Sequence, residues 1–139
     1  MAVSIQCGHI VWVYGPFPAG AAVDIEIYRS KLKTMLDYGE MVEADGGYEG
    51  DFTIRGKHDR IYGPVETLAK KRVLSRHENI NSKFKCWGSL RKKFRTTGPN
   101  MMDRHRMVFN CVATLVQMEL NYRPMYHVDY DFTRLNAAV

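Results

Sequence analysis

Val73, His77, Ile80, Phe84 and Trp87 recur at alternating steps of four and three. That spacing draws one seam along a helix over residues 67–90. A helix of this length runs for about 36 Å, and its seam must be covered by whatever the rest of the chain supplies. The 139 residues, 45% of them hydrophobic, are enough for one domain with one core. No run of 18 apolar residues interrupts the pattern, so a membrane span is not expected.

Before the helix the chain reads as short elements. Val3-Ser4-Ile5-Gln6-Cys7 alternates apolar and polar residues, Gly8-His9 supplies a turn, and Ile10-Val11-Trp12-Val13-Tyr14 follows. This is the pattern of a hairpin whose second strand, apolar throughout, is expected to be buried on both faces. Gly15-Pro16-Phe17-Pro18-Ala19-Gly20 is a loop. Asp24 is placed as the N-cap of a helix over 25–36 that carries Ile25, Tyr28, Leu32 and Leu36 on one face and stops at Gly39. A strand over 41–44 ends at the turn Asp45-Gly46-Gly47, and Phe52-Thr53-Ile54 is a further short strand.

After the long helix, Gly98-Pro99 breaks the chain, and Asn100-Met101-Met102-Asp103 has the look of a cap for a helix that reaches residue 121. Its Met107, Val108, Cys111, Val112, Leu115, Val116 and Met118 cover more than one stripe, so it is expected to be largely buried, with methionine as core filler. Cys7, Cys86 and Cys111 are odd in number and hold no Cys-x-x-Cys, which argues against a disulfide framework or a zinc knuckle. Cys7-x-His9 reads as hairpin packing. The order of elements predicts an α/β class, a single domain over 1–139 and a mixed sheet with flanking helices.

The net charge of +5 hides an asymmetry. Residues 1–54 carry three Lys or Arg against eight Asp or Glu, residues 55–95 carry thirteen against three, and residues 96–139 carry four against four. A middle segment at +10 calls for an anionic partner, DNA before an acidic membrane, with an ordinary solvated surface as the plain alternative. Within that segment Glu78 has Asn81, Ser82 and Lys85 on its side of the helix and is expected to border the packed seam. Asp45 lies at a strand end before two glycines, where open α/β sheets gather functional groups. Two such carboxylates can hold a hard divalent cation against a phosphate, although a turn aspartate and a Glu–Lys helix face explain each one singly.

Ala44-Asp45-Gly46-Gly47-Tyr48-Glu49-Gly50 resembles the A-D-x-G-Y-x-G element of DDE-superfamily transposases and endonucleases of the insertion-sequence and PIF/Harbinger type. Arg76-His77-Glu78-Asn79-Ile80-Asn81-Ser82-Lys83-Phe84-Lys85 resembles their Glu-bearing helix, and Gly15-Pro16-Phe17-Pro18 before Asp24-Ile25-Glu26 is similar to the loop ahead of their first core helix. The segments 105–113 and 124–130 are similar to the C-terminal end of a eukaryotic branch. The resemblance spans roughly residues 3–130. It implies an RNase H-like fold, Mg²⁺ or Mn²⁺ as cofactor, and Asp45 and Glu78 as the second and third acids of a metal-binding catalytic triad.

The resemblance also implies Lys85 as a phosphate contact. Lys83, Arg76, Arg72, Arg91, Lys92 and Lys93 would line the DNA, with Asp24 and Asn81 as auxiliary groups. The family's first Asp sits on a strand ahead of the hairpin that opens this sequence, and Leu74 stands where the family has an arginine. The expectation is therefore an N-terminally truncated catalytic domain, inactive by itself for strand transfer. The alternative is a non-catalytic DNA-binding domain derived from a transposase. Either would work with a separate DNA-recognition subunit or domain, away from membranes, in the nucleus of a eukaryote or otherwise inside the cell.

Overall fold

The computed structural model describes residues 1–15, 17, 23–48, 50–56, 63–92 and 98–128. Strands β1 (Ala2–Val3) and β2 (Ile10–Trp12) pair antiparallel, Ala2 opposite Trp12 and Val3 opposite Ile10, with a bulge between. Ser4 N–H donates to the His9 carbonyl and Gly8 N–H to the Ser4 carbonyl, closing the expected hairpin. Gly8 turns the chain at φ 73°, a region that favours glycine. The ribbon has only one covered face, so β2 is not buried on both sides as its composition suggested. Val11 remains 62% exposed.

The first helical segment starts as α1 (Asp24–Ile27), passes through a π-helical turn at Tyr28–Leu32 and tightens to 3₁₀ at Lys33–Met35. Asp24 was expected to cap it. Val23 holds the N-cap position instead, Asp24 lies inside the first turn, and no side chain makes a capping bond. Strands β3 (Val42–Glu43) and β4 (Ile54–Arg55) pair in parallel, Val42 with Ile54 and Glu43 with Arg55. Parallel strands ordinarily need a crossover of about a dozen residues. Here residues 44–53 suffice, folded through a 3₁₀ turn at Gly46–Tyr48. Among the described residues the strands form these two separate pairs rather than one mixed sheet.

Helix α2 (Pro64–Cys86) begins with proline at its first position, where the missing N–H costs nothing. Its seam holds at Ile80 and Phe84, both buried. Trp87 drops out of it because the helix ends at Cys86 and Trp87 turns to extended backbone (φ −81°, ψ 119°), leaving the indole 43% exposed. After a short α3 (Gly88–Arg91), α4 (Met101–Tyr122) packs Val112, Ala113, Val116 and Leu120 onto Ile80 and Phe84. Met1, Val3, Ile10 and Val13 of the hairpin cover the same cluster, and Gln117 accepts the Ile10 N–H at 2.7 Å. The all-round burial expected of α4 does not occur: α2 and the hairpin cover one side, and Met107, Leu115 and Met118 face outward. The capping arrangement expected at Asn100 is also absent.

A second cluster joins Tyr28, Ala44 and Ile54, edged by Ile25, Leu32, Leu36, Val42 and Tyr48. Charge ties it to α2. The Lys70 ammonium donates to the Arg55 and Gly56 carbonyls at 2.8 and 2.7 Å and lies 2.9 Å from the Glu43 carboxylate, with both side chains almost wholly buried. A buried pair gains little over an apolar pair of similar shape, but losing one partner strands the other charge at a cost of about 3–5 kcal/mol. Lys70→Ala is therefore expected to lower unfolding stability by roughly that amount, against about 0.5 kcal/mol or less for exposed Lys71→Ala. Glu43→Leu combined with Lys70→Met should recover most of the loss. Urea denaturation of the three variants measures this; equal midpoints for Lys70→Ala and Lys71→Ala would contradict it.

Candidate nucleic-acid interface

Successive residues of α2 turn by 100°, so Lys71, Ser75, Glu78, Ser82 and Lys85 share the side opposite Ile80 and Phe84. All five are exposed, as are Arg72 and Asn79 on the flank of that side. Arg91 of α3 and Lys92 after it are exposed too. The result is a helix face with cations and no ion pair among the described residues. Its one carboxylate, Glu78, stands two turns from both Lys71 and Lys85, about 10 Å of rise in each direction. Glu78 was expected to border the seam; it points into solvent because the seam closes on its far side.

The remaining sequence-nominated cations are placed differently. Arg76 is 3% exposed. Its guanidinium donates to the Ile5 carbonyl at 2.9 Å and to the Tyr126 carbonyl at 2.6 Å, and lies 5.5 Å from the Tyr126 ring centre. Tyr126 returns a hydrogen bond from its hydroxyl to the Arg72 carbonyl at 2.9 Å. Arg76 is thus a structural clasp rather than part of the exposed set. A Cβ on Gly8 would lie 3.3 Å from its Cδ, a tight contact, and the positive φ of 73° there disfavours any other residue. Lys83 forms an ion pair with Glu119 of α4. Asn81 reaches back to His77, 3.4 Å away, rather than to Glu78. Lys93 lies outside the described residues.

Asp45 does stand at the end of β3, and it is exposed. Its Oδ1 accepts the Gly47 N–H at 3.2 Å, which shapes the turn. The Gly46–Tyr48 turn that follows it contacts α1, the helix that carries Asp24. Burial, then the charges of Asp24 and Asp45, push the Tyr48 phenol above its ordinary range. Among the described residues no three His, Cys, Asp or Glu converge to hold a metal ion. Nor is any helix among them long and apolar enough to cross a membrane.

One carboxylate that the sequence reading passed over is more engaged than either nominated acid. Asp51 accepts from Lys33 at 2.8 and 3.0 Å, from the Thr53 hydroxyl at 2.6 Å and from the Thr53 N–H at 3.1 Å, with Arg29 at 3.5 Å. Its position, two residues before a Thr at a strand start, is the signal of an Asx turn that would have found it. Arg76 and Lys70 also carried a signal. Arg76 lies three residues after Val73 and four before Ile80, and Lys70 three before Val73, so both fall on the apolar seam. Comparison with protein-family models, curated proteins and solved structures finds no match to this chain.

The hydrogen bonds from Lys33 first, and then from Thr53, hold the Asp51 carboxyl far below the usual carboxylate range. A depressed folded-state value adds stability at pH values above the unfolded value, about 3.9, and that stability is lost as pH falls below it. Acid unfolding followed by circular dichroism should therefore show the wild type losing stability below about pH 4, and Asp51→Asn losing distinctly less over the same interval. Parallel acid profiles for the two proteins would contradict this role.

Proposed function

We propose that this chain is a nucleic-acid-binding domain of RNase H-like, transposase-type ancestry that grips DNA by its phosphates. The observation that carries the reading is the segregation of cations on α2 and α3. Lys70, Arg76 and Lys83 are engaged within the fold, whereas Lys71, Arg72, Lys85, Arg91 and Lys92 face outward. Outward lysines and arginines along one helix suit a polyanion whose charges repeat regularly, and contacts of this kind position a duplex without reading its bases. In a eukaryotic host such a domain works in the nucleus.

Five phosphate contacts give a slope of log K against log salt of about −4.5 for duplex DNA. Fluorescence anisotropy with a labelled duplex should show that steep loss of affinity, and each of Lys71→Gln, Arg72→Gln, Lys85→Gln and Arg91→Gln should reduce the slope by about 0.9. Lys83→Gln should leave it nearly unchanged. Absence of binding at low salt, or a slope near zero, would overturn the reading.

A metal-dependent endonuclease or transposase activity is the second reading, supported by the exposed Asp45 at the β3 end and by Asp24 in the same neighbourhood. There Asp45 and Glu78 would hold Mg²⁺ or Mn²⁺, which activates the attacking oxygen and stabilises the leaving one. Plasmid nicking that requires Mn²⁺ and is lost in Glu78→Ala would establish it. No nicking with either metal leaves DNA binding alone.

A further inference from the structure

The outward side of α4 is apolar where a solvent-facing helix should be polar. Met107, Cys111, Leu115, Met118 and Tyr122 follow one another at steps of four, four, three and four, which places them on a single stripe. Met107 is 68% exposed, Leu115 45%, Met118 60% and Tyr122 83%, and the Cys111 thiol is free and exposed. The stripe lies across the helix from Val112, Val116 and Leu120, which already pack against α2. It is therefore a second apolar face, separate from the core and from the basic side of α2. Contiguous exposed apolar stripes of this kind mark interaction sites.

We propose that this stripe is the dimer interface of the protein, with α4 of a second copy lying antiparallel on it. The order of residues along the stripe is what selects a second copy. Counted from residue 113, Cys111 and Leu115 lie two residues to either side, and Met107 and Met118 lie six and five residues away, within one residue of matching. The same two-fold brings Arg104, on the same side one turn before Met107, over Tyr122 of the other copy.

The Arg123 guanidinium lies 6.0 Å from the centre of that ring, and the ring's exposure leaves its other face open to a cation. An antiparallel pair also sets opposite ends of the two helix dipoles side by side. A parallel pair would instead place Arg104 against Arg104. Residues that meet in reciprocal pairs make an isologous contact, the kind that closes as a dimer. The stripe spans about 27 Å from Arg104 to Tyr122, a small interface that suits a reversible dimer.

Sedimentation velocity on the full chain over a range up to about 500 μM, where a sub-millimolar dimer is populated, tests the proposal. The average mass should climb from 16.0 kDa towards twice that value. Leu115→Glu with Met118→Glu should stay at the monomer mass while keeping the wild-type circular dichroism spectrum. A wild type that remains monomeric throughout, or a double variant that associates as the wild type does, overturns it.

Orientation is read from cross-linking with oxidised glutathione as the oxidant, in a Cys7→Ser, Cys86→Ser background. Adding Leu115→Cys should raise the yield of disulfide-linked dimer several-fold, because residue 115 meets Cys111 of the other copy. Dimer linked as well through Cys111 without that change contradicts the antiparallel arrangement.

Discussion

Arg76 sets the terms on which the two ends of the chain meet. Its guanidinium rises from the middle of α2 into a space closed by the hairpin turn on one side and by the segment around Tyr126 on the other, and both supply backbone carbonyls to it. A buried cation cannot be left without acceptors, so the turn that offers the Ile5 carbonyl and the segment after α4 that offers the Tyr126 carbonyl are held in place by the same charge. Gly8 completes the constraint: it takes the positive φ of the turn and leaves room for the arginine, which a side chain there would crowd. Six residues before Arg76, Lys70 does the corresponding work for the parallel strand pair, meeting Glu43 and two carbonyls. One helix thus joins two small sheets that, among the described residues, do not pair with each other.

That arrangement divides the basic residues of the middle segment into two populations. Those on the seam side of α2 are engaged inside the molecule: Lys70 meets Glu43 and two carbonyls, and Arg76 meets two carbonyls through its terminal nitrogens while its Nε is buried without a partner among the described residues. Those on the opposite side keep their charge available. The distinction matters for function because only exposed cations can release counterions from a polyanion. A count of lysines and arginines along the sequence overstates the exposed basic face, and the fold corrects the count by geometry. The acids divide in a similar way. Asp51 and Glu43 anchor the second cluster, whereas Asp45, Asp24 and Glu78 remain at the surface.

Local pattern made much of the fold legible. Hydrophobic periodicity located α2 and α4, alternation around Gly8-His9 located the hairpin, and the Asp45-Gly46-Gly47 turn ended a strand where expected. What was not legible is decided by how many neighbours each element has. Val11 and Met118 are apolar by composition but exposed, because a two-stranded ribbon and a two-helix contact each cover only one side. The charged seam positions were misjudged for a related reason: periodicity scored His77 as the seam residue, while the fold turned Arg76 inward to meet two carbonyls. The site residues were found as residue types but not as an arrangement. Distance in sequence between Asp45 and Glu78 carries no information about which side of α2 the glutamate takes.

Side-chain NMR of the arginine and lysine groups during a DNA titration reads the separation of engaged from available cations directly. The Arg72 and Arg91 guanidinium and the Lys71 and Lys85 ammonium signals should shift early and together, with Arg76 and Lys70 unmoved and slow to exchange with solvent. Shifts confined to other parts of the surface, or Arg76 and Lys70 exchanging as fast as Arg91, would contradict it.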